Sequence, residues 1–599
     1  MFKVHCKLRV HLHLGEKVVM EPQKKLINSA EDCVDEALCG LVRASGGLSL
    51  LQGHRVVLRS DLDNVRGKVA LLAGGGSGHE PAHGGYVGAG MLSAAVAGGV
   101  FASPPPAGIL AAILCLHNAG ASGVLVIVTN YTGDRLNFGL ATEQACNRGV
   151  AVNMIIIADD CAFERPTKAG RRGLCGTVLI HKLAGALADE GCSLDHIVAM
   201  VTEVLKGTGT LGVSLSPCSV PGCRPSFELP PGDMELGLGI HGEPGVKRSK
   251  VDSADQVVSA MIDHMTNAEN QSHLHLTKGD QLIVCVNNLG ALSGLEMAVA
   301  TRAAIISLEN RGMVVARVMS GSFMTSLEMA GMSLTLMTAS SEILRLFDAK
   351  TSAPAWPNLS SVHVSGRNHL TDAPSVPTGV HSDTQPEGPN GAVMRAVLGR
   401  VCSTLLEKQE ELNALDRASG DGDCGNTHTQ AARAIRVWLQ SHIVPGCPKQ
   451  LLSALAKLVQ EKMGGSSGAL YSLFLTAAAG HMTERQSSAA AWAGAMHAGM
   501  LAMRRYGGAD PGDRTMLDAL CPAVDELMKL NTAPPGAEMT VLQAAIQRAA
   551  AGAESTRSLV AKAGRASYIA SERLTLPDPG AKAIVAILSA VFEALNEQR

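Results

Sequence analysis

Between about residues 30 and 215, short β-branched runs alternate with Ala- and Leu-rich stretches at helical spacing. The runs at 69–73, 124–128 and 152–158 predict buried strands, and their alternation with helices predicts βαβ units. A Pro/Gly/Ser-rich passage at 214–232 separates a second α/β segment, with strands predicted at 281–286, 314–318 and 334–337. Residues 81–133 contain no Asp, Glu, Lys or Arg, so the span must be tested as transmembrane. Pro104, Pro105, Pro106 and frequent glycines cut it, and its best apolar run, 123–129, has strand length.

Residues 351–392 are rich in Pro, Ser, Thr and Gly, with too little apolar periodicity to fold alone. Beyond them Ala and Leu recur at helical spacing with almost no strand-like run. The predicted organisation is multidomain: an extension at 1–23, a two-lobed α/β region at 24–355 splitting near 215–232, a linker at 356–392, and an all-helical domain at 393–599. Lys3, Lys7, Arg9 and Glu16 interrupt the first apolar positions, so no signal-peptide core is expected there, and Met20 offers an equally good start.

Composition narrows the functional classes. The 599 residues are 46% hydrophobic and 18% charged, enough for several buried cores and too little charge for a disordered chain. Sixty-four glycines against 3% aromatics suggest cores in which backbone closely approaches backbone or ligand. A net charge of −3 offers no basic field for a phosphate backbone, and so few rings offer no stacking platform, so neither nucleic acid nor membrane is an expected partner. The 15 cysteines include no CxxC pair, which suits reduced thiols in the cytoplasm and argues against a zinc site.

Several motifs can carry chemistry. After the predicted strand at 69–73 come Gly74, Gly75, Gly76, Ser77, Gly78 and His79, ending at His83. Backbone N–H groups there can close around an oxygen-rich ligand where strand hands over to helix, or the segment is simply a tight turn. It is neither a P-loop nor GxGxxG. Thr129-Asn130-Tyr131-Thr132-Gly133-Asp134 places polar groups at a strand's C-terminal end, where Asp134 is either a general base or a helix cap. In the second lobe His241 lies among glycines from Gly237 to Gly245, as a carbonyl-trapping nucleophile or a turn histidine.

In the helical third, Asp416, Asp421 and Asp423 flank a glycine turn, where like charges would repel unless a hard cation such as Mg²⁺ neutralised them. The alternative is a solvated acidic loop. Met463 to Tyr471 reads as a Gly/Ser turn opening a helix, either an anion-binding N-terminus or a plain connection. The polar turns 511–516 and 577–580, taken with the acidic loop, suggest one nucleotide pocket at the ends of several helices.

Together with Gly170-Arg171-Arg172-Gly173 and Asn287-Asn288-Leu289-Gly290, these motifs occur in the order found in the dihydroxyacetone kinases. The chain resembles that family over 24–355 and 393–597, in the single-chain arrangement of its animal members. The resemblance implies that His241 holds the carbonyl carbon of dihydroxyacetone or D-glyceraldehyde as a hemiaminal. Gly76, Ser77, Gly78 and His79 would surround the substrate oxygens, and His79 and Asp134 would assist proton removal. It also implies an all-helical barrel in which Asp416, Asp421 and Asp423 hold two divalent ions. Cys424, Gly425, Asn426, Thr427, Ser466, Ser467, Arg514, Asp578, Pro579 and Gly580 would contact ATP there.

The resemblance further implies Mg²⁺ for the kinase, a homodimer and a cytosolic location. Animal members are also credited with splitting FAD into AMP and riboflavin cyclic 4′,5′-phosphate, favoured by Mn²⁺ or Co²⁺, and are linked to a cytoplasmic RNA-sensing helicase. Family members usually carry Lys where this chain has Thr129. Losing a charge-assisted hydrogen bond costs about 1.5–3 kcal/mol, so a kinase weakened relative to the FAD reaction is a second expectation. A non-catalytic scaffold is a third, disfavoured by the presence of His79, Asp134, His241 and all three acidic-loop carboxylates.

Overall fold

The computed structural model describes residues 24–374, 389–483, 487–569 and 574–598, Ser226 excepted. The predicted extension 1–23 lies outside the described residues, as do 375–388 of the predicted linker. Two compact units divide the chain, Met1–Asp372 and Ala373–Arg599.

The first unit opens with α1 (Cys33–Ala44) and a six-stranded sheet. Its strands are β1 (Leu48–Leu50), β2 (Val56–Arg59), β3 (Val69–Ser77), β4 (Ala94–Val100), β5 (Gly123–Thr129) and β6 (Val152–Ile157), ordered β1-β2-β4-β3-β5-β6. The four strands from β4 to β6 in that order run parallel. Helices α2 (Pro106–Asn118), α3 (Thr132–Cys146), α4 (Gly176–Asp189) and α5 (Leu194–Lys206) cover both faces. Leu72 and Val126 meet Ile113 and Phe138 on one side, while Leu71 and Leu125 meet Val178 and Leu183 on the other. Burial on both faces is why these strands read as continuous apolar runs instead of alternating ones.

The second sheet is mixed. It comprises β7 (Thr208–Ser214), β8 (Asp233–Leu236), β9 (Lys247–Lys250), β10 (Gln281–Asn288), β11 (Val314–Gly321) and β12 (Gly331–Thr338), ordered β11-β10-β12-β7-β8-β9. Helices α6 (Ala254–Thr266), α7 (Gly294–Asn310) and α8 (Ser341–Asp348) accompany it. Helix α4 touches β3 of the first sheet and β7 and β12 of the second, and every residue from Gly176 to Ala188 is buried. The lobes therefore divide earlier than the expected 215–232. β7 already pairs with β12, and its Thr- and Gly-rich sequence conceals a strand.

The glycine segment also differs from the expected strand-to-helix turn. β3 continues to Ser77, and the next α-helix is α2. Missing side chains permit this, since a Cβ at Gly74 would strike the Val96 carbonyl and one at Gly76 would lie 2.7 Å from the Ala102 nitrogen.

The predicted linker is partly docked. The Val364 and Ser365 amides both donate to the Val315 carbonyl at 3.1 and 3.0 Å, against edge strand β11. In the second unit, α9 (Pro389–Glu407) begins inside the expected linker. It is followed by α10 (Gln409–Arg417), α11 (Cys424–Ser441), α12 (Pro448–Lys462), α13 (Gly465–His481), α14 (Ala489–Gly507), α15 (Leu517–Leu527), α16 (Glu538–Ser555) and α17 (Pro579–Glu597). From α11 onward each helix packs on the next, and α9 touches both α11 and α17, closing a ring. α17 is apolar and long enough to span a bilayer, but Ala583, Ile584 and Leu588 are buried within the ring.

Candidate active site

The first unit gathers the segments after β3, β5 and β8 around His241. Beyond β3, Gly78 takes φ +101°, and a Cβ there would lie 2.8 Å from the Phe101 ring. Its carbonyl accepts the Leu327 amide at 2.9 Å, and the Ser77 carbonyl accepts the Phe101 amide at 2.9 Å. Both lobes thus grip this loop. Phe101 and Leu327 themselves have φ near +55°, a costly conformation for such residues that their surroundings must enforce.

His79 follows, buried, with Nδ1 donating to the Thr325 carbonyl at 2.8 Å. Because a carbonyl only accepts, this bond fixes the tautomer and leaves Nε2 with its lone pair. Burial, helped by neighbouring His241, pushes the His79 pKa down to about 3, so the ring is neutral. Ser77 Oγ is already committed to the Gly98 carbonyl at 2.9 Å and shapes the loop.

His241 sits between the left-handed Gly242 and Ile240, whose carbonyl accepts the Ser326 hydroxyl at 2.5 Å. Its Nδ1 lies 3.1 Å from Glu243 Oε1, and its amide donates to Oε2 at 3.0 Å. Burial opposes ionisation of Glu243, but the hydrogen bond and charge of His241, with Arg172, hold its carboxyl down to about 2. Glu243 is therefore the acceptor of this bond and Nδ1 its donor, which directs Nε2 away from the carboxylate. A Cβ at Gly239 would collide with this carboxylate, which accounts for glycine there.

Aromatic rings box in His241. Its centroid lies 4.5 Å from Tyr131, 4.8 Å from His79 and 5.2 Å from Phe101, all near perpendicular. Phe101 stacks on His79 at 5.1 Å. Asp134 lies in the first turn of α3, whose N-cap is Tyr131, so the expected alternative of a helix cap does not hold. Burial raises the Asp134 pKa, against a hydrogen bond from Ser103 and the charge of His241. Three buried polar atoms on residues near His241 have no hydrogen-bond partner among the described residues: His79 Nε2, Asp134 Oδ1 and the Tyr131 hydroxyl. Thr129 is buried at the end of β5 and, among the described residues, makes no hydrogen bond to His79, Asp134 or His241.

The remaining motifs of this unit act as buttresses. Asn130 Nδ2 donates to the Ala169 and Arg171 carbonyls at 2.9 and 2.6 Å, and Arg172 Nε binds Asp160 Oδ2 at 2.6 Å. Asn287 Oδ1 accepts the Phe323 and Met324 amides at 2.8 and 3.0 Å, setting the loop that carries Thr325 and Leu327.

In the helical unit, Asp416, Asp421 and Asp423 offer carboxylate oxygens within 4.8 Å of one another. Asp416 Oδ2 accepts the Asp423 and Cys424 amides at 2.9 and 3.0 Å, which tucks the loop onto the start of α11. Three clustered carboxylates fit a hard divalent ion. Asp578 caps α17 through the Ala581 amide at 2.8 Å. Burial, with Asp518 and Asp416 nearby, pushes its pKa up to about 6 against that bond and Arg514. Arg514, buried at φ +63°, donates Nη2 to the Leu576 carbonyl at 2.7 Å, while Nε and Nη1 have no partner among the described residues. Gly580 meets Met516, joining the two predicted turns, with Pro579 opening α17 beside it.

Cys424, Gly425, Asn426 and Thr427 form the first turn of α11, where Asn426 Oδ1 accepts from Asn413 and Gln409. Ser466 and Ser467 begin α13. That helix is tied to α11 by Tyr471, whose hydroxyl lies 3.2 Å from His428 Nε2. Reasoning from sequence assigned no role to Glu243, Tyr131, Phe101, Arg172 or His428. Only Glu243 carried a local signal, an acid two residues from a histidine among glycines.

Comparison with known proteins agrees with this division. A Dak1 domain matches residues 39–355 and a DAK2 domain matches 418–593. The chain is 56% identical over 574 residues to a triokinase/FMN cyclase from Homo sapiens, covering 96% of this chain and 99% of that one. It is 39% identical over 584 residues to a dihydroxyacetone kinase from Citrobacter freundii, covering 95% and 98%. The crystal structure of the C. freundii kinase in complex with AMP-PNP and Mg²⁺ aligns with TM-score 0.65 and 36% identity, over 97% of this chain and all of that one. The chain belongs to the dihydroxyacetone kinase family, with its Dak1 and DAK2 domains joined in one polypeptide.

Proposed function

We propose that the protein phosphorylates dihydroxyacetone and D-glyceraldehyde with ATP, holding the triose covalently on His241. The carrying observation is the His241–Glu243 pair, with three buried polar atoms on neighbouring residues that have no hydrogen-bond partner among the described residues. The Nε2 lone pair attacks the carbonyl carbon, and the C=O π pair moves onto the oxygen beside His79. The Nδ1 proton passes by way of Glu243 and solvent to the new alkoxide, so the adduct is a neutral hemiaminal and Glu243 is again a carboxylate. Glycerol has the hydroxyls but no carbonyl, so it forms no such bond. Asp134, with a raised pKa, accepts the proton of the hydroxyl that attacks the γ-phosphate, while positioning supplies most of the rate.

In the DAK2 domain Asp416, Asp421 and Asp423 would hold the divalent ions, which supply charge neutralisation along the triphosphate. The first turn of α11, Ser466-Ser467 and Arg514 bind the nucleotide, whose phosphates answer the two free Arg514 nitrogens. We read the closed ring of helices as the family's helical barrel, and the working protein as a cytosolic homodimer. The same pocket takes FAD when Mn²⁺ or Co²⁺ is present, a ribityl hydroxyl attacking the nearer phosphorus and AMP departing. The naming of relatives 54–56% identical as triokinase/FMN cyclases supports this second reaction.

The test is direct. Purified protein with ATP, Mg²⁺ and dihydroxyacetone should yield ADP and triose phosphate, and with FAD and Mn²⁺ should yield AMP and the cyclic flavin phosphate. Failure of both with folded protein would remove the enzymatic reading.

A further inference from the structure

Tyr131 stands in the catalytic pocket with no part in the chemistry described so far. It joins β5 to α3 as the N-cap residue of that helix, yet its side chain makes no capping bond. Its ring meets the His241 imidazole edge to face at 4.5 Å. The ring packs partly buried against the core, but its hydroxyl is shut off from solvent and, among the described residues, has no hydrogen-bond partner. A buried hydroxyl left unpaired costs roughly 1–3 kcal/mol, a cost a ligand oxygen would remove. Two other atoms around the same imidazole are in the same condition, His79 Nε2 and Asp134 Oδ1.

The three atoms belong to residues that surround His241, and the proposed ligand class carries three oxygens. On the reading above, His79 serves the former carbonyl oxygen and Asp134 the reacting hydroxyl. We infer that the Tyr131 hydroxyl donates a hydrogen bond to the second, non-reacting hydroxyl of the triose held on His241, making Tyr131 a specificity-determining residue for vicinal hydroxy-carbonyl substrates. Burial raises the Tyr131 pKa well above its ordinary value, so the phenol stays protonated and able to donate throughout the working range. Neighbouring Glu243 and Asp160 add to that effect, against Arg172.

The inference rests on covalent capture at His241, and the experiment separates the two. [2-¹³C]Dihydroxyacetone and 1,3-difluoroacetone, an analogue of similar size with an activated carbonyl and no hydroxyl, are titrated by NMR into wild type, Tyr131→Phe and His241→Ala. In wild type both ligands should show a protein-bound tetrahedral carbon distinct from that of the free hydrate, lost in His241→Ala. Tyr131→Phe should weaken dihydroxyacetone about tenfold and leave difluoroacetone within about twofold, since only the former presents a hydroxyl to the phenol. Equal weakening of both ligands would make Tyr131 a support for the imidazole, and no weakening would remove the contact; either overturns the inference. A tetrahedral signal that survives in His241→Ala would overturn covalent capture instead, while the ratio of the two affinities still decides Tyr131.

Discussion

His241 Nδ1 and Glu243 Oε1 stand 3.1 Å apart, and in the proposed reaction that contact keeps the ring proton on Nδ1 and leaves Nε2 to attack the carbonyl. Glu243→Gln keeps the shape but can donate to Nδ1, which moves the ring proton to Nε2 and masks the nucleophile. Steady-state assays should show kcat/KM for dihydroxyacetone falling about 10²- to 10⁴-fold, the range of a wrong-tautomer histidine, while FAD cleavage stays within a few fold. An unchanged triose rate would show that Glu243 does not set the tautomer.

Asp416, Asp421 and Asp423 serve both proposed reactions, so substitutions there should not discriminate between them. Asn at any of the three is expected to lower triose phosphorylation and FAD cleavage together by about 10²-fold or more. Mn²⁺ titration by calorimetry should shift to weaker binding. Loss of one reaction alone would assign the acidic loop to that reaction only.

Gly78 occupies a conformation closed to other residues, beneath Phe101 and Leu327. Gly78→Ala forces either the backbone or the Phe101 ring to move, at about 1–3 kcal/mol. A lower melting temperature should accompany a rise in KM for triose, with the KM for ATP unchanged. Wild-type kinetics in this variant would mean the loop has slack that the contacts do not suggest.

His79 and the buried pair His83–His181, joined at 3.0 Å, bear on the pH dependence of stability. Burial depresses all three pKa values, His79 to about 3, His83 to about 4, and His181 well below its ordinary value with the neighbouring His83 adding to the effect. The unfolded chain binds these protons near pH 6.5 and the native state does not. Their stabilising contribution is therefore complete above pH 6.5 and falls as pH drops toward the native values, at about 1.4 kcal/mol per pH unit for each histidine. The melting temperature should fall steeply as the pH is lowered from about 6.5 to about 4.5. A flat melting temperature across that window would contradict the buried, neutral state.

Much of this architecture is legible in the chain, for identifiable reasons. Strands buried on both faces, such as β5, leave unmistakable apolar runs, and a histidine among glycines or three acids around a glycine turn announces chemistry locally. β7 does not announce itself, because its threonines and glycines pack against neighbouring strands and Cys161 and carry no β-branched run. Glycines 74 to 76 read as a turn because close backbone approach leaves the same signature in either setting. Tyr131 and Phe101 gain their roles only when His241 arrives from the other lobe, about 110 and 140 positions away in sequence. No local pattern encodes such an encounter.

The central claim, one triose held on His241 and one metal-nucleotide pocket serving two reactions, is tested most directly with His241→Ala. Wild type and variant are assayed side by side for triose phosphate from dihydroxyacetone, ATP and Mg²⁺, and for AMP from FAD and Mn²⁺. The account predicts that the variant loses triose phosphate formation and retains FAD cleavage within a few fold. A variant that still phosphorylates dihydroxyacetone at close to the wild-type rate, or one that loses both reactions equally while remaining folded, would contradict it.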